Sequence, residues 1–98
     1  MGTSRLISNL VSLKSVGPAT AADLAKLGIT KIEQLRRADA DRLYERLCRV
    51  TGQRHDPCCR DVFAAAIAQA KNPNLPEEQR DWWYWSRLRK ETSKQKKQ

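Results

Sequence analysis

The sequence predicts an all-α domain of five to six short helices, and three observations carry that prediction. Apolar residues recur at three- and four-residue spacing in almost every segment. Capping residues or prolines head those segments, and glycine or Asn-Pro closes them. No stretch alternates apolar and polar side chains as a half-buried strand would.

The first segment, SRLISNLVSL, puts Leu6, Ile7, Leu10, Val11 and Leu13 on one helical face, with Ser4 as its N-cap. Gly17-Pro18 opens the second. Proline suits the first helical position because its missing N–H would have no intrahelical partner there. Ala21, Leu24, Ala25 and Leu27 form its stripe, and Gly28 ends it as a left-handed cap. Thr30 and Glu33 have capping-box spacing and start a short third helix, with Ile32 and Leu35 inward. Asp39 caps a fourth, where Leu43, Tyr44, Leu47, Cys48 and Val50 face inward until Gly52. Asp56-Pro57 starts a fifth, with Val62, Phe63, Ala66, Ile67 and Ala70 buried, and Asn72-Pro73 stops it. Pro76 begins a sixth segment, where Trp82, Trp85 and Leu88 are expected to dock as a lid. Trp83 and Tyr84 are then expected at the surface.

The 98 residues suffice for one core, not two. The formal charge is +8. Residues 87–98 hold six basic side chains and one acidic one, a net +5, which leaves +3 for residues 1–86. The expected division is therefore a helical domain over 1–86 and a basic, disordered tail over 87–98. Such a charge suits nucleic acid or an acidic protein. No apolar run approaches the ~18 residues of a membrane span. Neither a membrane nor a small-molecule substrate is expected. Three cysteines without a leader sequence suggest reduced thiols in the cytoplasm.

The stretch KSVGPATAADLAKLGI, Lys14 to Ile29, resembles a helix-hairpin-helix motif. Val16, Gly17, Ala21, Leu24, Gly28 and Ile29 fit the pattern, whereas Lys14 and Ser15 replace its usual Pro and Gly. Beyond it lie Leu43 to Cys48, Thr51-Gly52, Asp56, Cys58, Asp61-Val62-Phe63, and Trp82, Trp83 and Trp85. Together with Val16-Gly17-Pro18 they resemble the bacterial pathogenicity-locus family, many of whose members carry a mitomycin-resistance label. The resemblance covers about residues 6–86. It implies a compact SAM-like domain with paired helix-hairpin-helix units, and no established activity.

A turn of this kind implies backbone phosphate contacts at Gly17, Ala19 and Thr20, with Lys14 and Lys26 supplying charge nearby. The physical reason is general. The first amides of a helix lack intrahelical acceptors, and the helix dipole adds about half a positive charge there. The resulting expectation is sequence-independent DNA or other nucleic-acid binding. The same turn also serves as a plain packing corner in a protein-interaction module, with Trp83 and Tyr84 as a stacking or partner surface. Cys48, His55, Cys58 and Cys59 lack paired zinc-ligand spacing, and a single histidine supplies no nucleophile–base set. No metal, cofactor or enzymatic activity is expected.

Overall fold

The computed structural model describes residues 10, 13–72 and 74–96, with side chains to residue 91. Among these residues the chain is all-helical. Helix α1 spans Pro18–Lys26, α2 Ile32–Leu35, α3 Ala40–Thr51, α4 Pro57–Lys71 and α5 Trp82–Lys96, with a 3-10 turn at Glu77–Arg80. Of the expected first helix, Leu10 is fully buried and Leu13 partly so. Ser4, Leu6, Ile7 and Val11 lie outside the described residues.

The caps form for local reasons. The Asp39 carboxylate accepts the Arg42 N–H at 3.1 Å and starts α3. Gly28 and Gly52 take φ of +82° and +68°, the left-handed conformation that a residue with Cβ avoids. The start of α2 differs from expectation. Gln34, rather than a Thr30–Glu33 box, closes it: Oε1 accepts from Thr30 N–H at 2.8 Å and Lys31 N–H at 2.9 Å. Its Nε2 donates to the Gly28 carbonyl at 2.9 Å, so one side chain joins the end of α1 to the start of α2.

Helix α4 is the centre of the packing. Phe63, Ala64, Ala65, Ala66 and Ile67 are all buried, five consecutive residues that cover more than one helix face. Small alanines let neighbours approach on several sides, and α2, α3, α5 and the 3-10 turn all pack on α4. Leu24, Leu35, Leu43 and Leu47 bring the other helices to Phe63 and Ile67. Each such leucine contributes about 1.5–3 kcal/mol when fully buried. The apolar stripe of α3 ends before the helix does: Val50, in its last turn, is 59% exposed rather than inward.

Helix α5 is rotated away from the expected lid. Trp82 and Leu88 are each 38% exposed, while Ser86 is buried and Arg89 reaches inward. The cause is Asp61, a fully buried carboxylate on α4. Arg89 Nε contacts Asp61 Oδ1 and Oδ2 at 3.1 and 3.2 Å, and Arg89 Nη2 contacts Oδ2 at 3.1 Å. Arg60 adds a 3.4 Å contact to Oδ1 and ties α4 to Asp41 of α3 at 2.8 Å. A buried carboxylate without a cation is strongly disfavoured, so this pair sets the rotation of α5 over the alternative tryptophan–leucine face. Helix α5 continues past residue 86, the expected boundary of the helical domain. Trp85 is half-buried, and its indole Nε1 donates to the Gln79 carbonyl at 2.8 Å.

Candidate nucleic-acid interface

The turn before α1 is held from both sides. Lys14 N–H donates to Gln69 Oε1 at 2.9 Å, and Gln69 Nε2 donates back to the Lys14 carbonyl at 2.8 Å. Val16 is buried and anchors the turn in the core. Ser15 takes a φ of +74°, the left-handed conformation, at the position where the usual motif has glycine. Its hydroxyl donates to the Arg80 carbonyl at 3.0 Å and accepts the Trp82 N–H at 3.1 Å. Ser15 therefore keeps the backbone shape a glycine would give and adds a bridge to the start of α5.

Gly17 is the N-cap of α1, with φ −92° and ψ 179°, and no side chain caps the helix. This backbone is ordinary extended chain. A Cβ there would meet nothing within 4 Å. Neither strain nor crowding explains the glycine. Its effect is to leave the helix entrance bare. Pro18 and Ala19 are exposed and Thr20 is half-buried. Ala21 N–H bonds the Gly17 carbonyl at 3.0 Å, whereas the amides of Ala19 and Thr20 find no acceptor among the described residues.

The entrance to α4 is built from the same proline and closed by its own carboxylate. Asp56 Oδ1 accepts the Cys58 N–H at 2.9 Å. That bond holds the Asp56 carboxyl below the usual carboxylate range. The Asp56 carboxylate beside the Cys58 thiol, and then burial, raise that thiol above its ordinary value, and burial raises Cys59. Both sulfurs are therefore protonated thiols near neutral pH, despite lying in a helix first turn. His55 Nε2 meets Thr51 Oγ1 at 2.8 Å, and the His55 N–H meets Cys48 Sγ at 3.5 Å. Partial burial and the neighbouring Cys48 keep the Tyr44 phenol protonated, and it donates to the His55 carbonyl. Among the described residues, no group of three or more His, Cys, Asp or Glu side chains is placed to hold a metal ion.

The two lysines do not act at one point. Lys14 Nζ lies at the turn but pairs with Asp81 at 3.3 Å and Glu77 at 3.7 Å. Lys26 stands in the last turn of α1 and pairs with Asp23 at 3.7 Å. At ~1.5 Å rise per residue it is about 12 Å along the helix from the entrance, so it meets a different phosphate from Gly17 or none. Trp83 is 44% exposed, with the Arg87 guanidinium 5.1 Å from its ring centroid. Tyr84 is half-buried and packs edge-on against Trp85.

The roles of Ser15, Asp61 and Arg89 escaped the sequence reading. Two signals were present: a serine in a glycine position, and a carboxylate beside an apolar stripe.

These features define a small all-α domain that presents one bare and one self-capped helix entrance. The chain belongs to the pathogenicity-locus family (Cdd1), whose model matches residues 3–91. It is 42% identical over 83 residues to a mitomycin resistance protein, McrB, of Streptomyces lavendulae, covering 85% of this chain and 75% of that protein. No solved structure matches the chain significantly. Among the described residues, no helix is long and apolar enough to cross a membrane.

Proposed function

We propose that this domain binds nucleic-acid backbone phosphate, independently of sequence, at the entrance to α1. The supporting observation is the bare cap at Gly17. Amides of Ala19 and Thr20 lack acceptors in the described chain, and the glycine leaves room for an oxyanion to approach them. On this reading the turn from Lys14 to Gly17 is the hairpin of a helix-hairpin-helix unit whose second helix is α1. Backbone contacts of this type carry no base information, and they weaken as salt displaces them.

Lys14 has a secondary part in this reading. Its pair with Glu77 is exposed and that with Asp81 partly so, each worth about 0–1 kcal/mol, so an incoming phosphate competes with them. The domain acts as a binding module and not as an enzyme. The raised thiols and the histidine engaged by Thr51 supply no activated nucleophile. Basic residues near the chain end add long-range attraction.

The test is a salt titration of duplex DNA binding with a chain ending at Glu91, which retains the Asp61–Arg89 pair. Binding that falls linearly in log affinity against log salt supports the reading. A folded protein that binds no duplex even at low salt would remove it, and would leave a protein-interaction module.

A further inference from the structure

We infer that the Trp82–Trp83 end of α5, with Arg87 and Lys90, seats an unpaired nucleobase and its phosphate, so that single-stranded nucleic acid is the partner this face selects. The inference deepens the phosphate reading and rests on it for the path of the strand, but it uses a separate surface.

A tryptophan–leucine face was available to bury, and the Asp61–Arg89 pair holds the helix so that Trp82 and Trp83 remain open instead. Trp83, Arg87 and Lys90 then stand at i, i+4 and i+7, a stripe with all three side chains exposed. Arg87 lies over the Trp83 ring at 5.1 Å and orients it, while both cations form no ion pair among the described residues. In this they differ from Lys14 and Lys26.

Trp82, Trp83, Ser86, Arg87, Lys90 and Cys58 line a groove of about 470 Å3, which Glu91 completes as its one carboxylate. A volume of this size suits a small planar ligand. Indole faces suit the π-face of any base, and the two cations suit its phosphate.

Trp82 N–H is bonded to Ser15 Oγ, two residues before Gly17. A strand whose phosphate rests on the α1 entrance therefore reaches the tryptophans next. Paired bases in a duplex hide their faces in the stack, so only an unpaired base can use the groove.

The experiment titrates the full chain with a short oligothymidylate and with a duplex of equal length, following tryptophan emission and anisotropy together. Wild type should bind the oligothymidylate with quenching. Trp83→Ala should weaken that binding about tenfold, since base–aromatic stacking contributes on that scale. Trp83→Phe should restore most of it, and duplex affinity should stay at the wild-type value in both. Arg87→Gln gives a second reading should Trp83→Ala melt early. Oligothymidylate affinity unmoved by Trp83→Ala and Arg87→Gln, or binding without quenching, overturns the inference. So does a chain that ignores oligothymidylate but loses concentration-dependent self-association in Trp83→Ala, since the face would then join two copies. Quenching by oligothymidylate with no duplex binding supports this inference and refutes the reading of the Gly17 turn.

Discussion

The entrances to α1 and α4 begin alike and end differently. Each has proline at the first helical position. At α4 the preceding residue is Asp56, whose carboxylate takes the Cys58 amide and supplies the negative charge that the helix end favours. At α1 the preceding residue is Gly17, which supplies neither. One entrance is completed within the chain, and the other finds no acceptor among the described residues. The difference teaches that two helix starts with the same proline diverge through the one residue before it, and the proposed phosphate site rests on what Gly17 omits.

Support for the two entrances differs in the same sense. Helix α4 is locked one turn further on by Asp61, whereas the α1 turn is locked from outside through Ser15. The largest effect should come from breaking the α4 lock. Asp61→Ala leaves the Arg89 guanidinium without its partner, and should lower stability by about 3 kcal/mol in urea denaturation. The value lies at the low end for a buried pair because Arg89 is 29% exposed. The salt slope of duplex binding should not change, since the α1 entrance is untouched. A changed slope would show that the two entrances are not independent.

Next in size is Ser15. Ser15→Ala keeps the left-handed backbone and loses both hydroxyl bonds, and should be destabilised by about 2 kcal/mol. Ser15→Gly loses the same bonds but relieves about 1 kcal/mol of backbone cost, so it should melt at a higher temperature than the alanine variant. The reverse order would mean that the positive φ is not held in solution.

The smallest effect is one of pH. The folded pKa of Asp56 is depressed by its bond from Cys58 N–H. Its contribution is therefore complete above the ordinary carboxylate range, near pH 4, and is lost as pH falls through the lower folded value. The protection factor of the Cys58 amide, its exchange rate corrected for the intrinsic pH dependence, should drop on that acidification. Exchange at Ala19 and Thr20, whose entrance holds no carboxylate cap, should show no matching step.

Most of the fold was legible because its punctuation is local. Asp39, Asp56, Gly28 and Gly52 act within a few residues of themselves, and a sequence displays such signals directly. The Gly17-Pro18 entrance was legible for the same reason. The rotation of α5 was not, because it depends on Asp61 and Arg89, 28 positions apart. Aromatic spacing alone favoured burying Trp82 with Leu88, and a buried charge overrode it. The bridge from Ser15 to Trp82 spans 67 positions and joins a polar residue to a backbone amide, a contact with no periodic trace. Lys14 looked free in the sequence because Glu77 and Asp81 lie far along the chain.

Gly17→Asp tests the difference between the entrances most directly. The substitution copies the α4 cap onto α1, and a Cβ at Gly17 meets no atom within 4 Å. Duplex affinity of this variant, measured beside wild type at one low salt concentration, should fall at least about tenfold while the melting temperature holds or rises. Full duplex affinity in a folded Gly17→Asp protein would contradict phosphate binding at the α1 entrance.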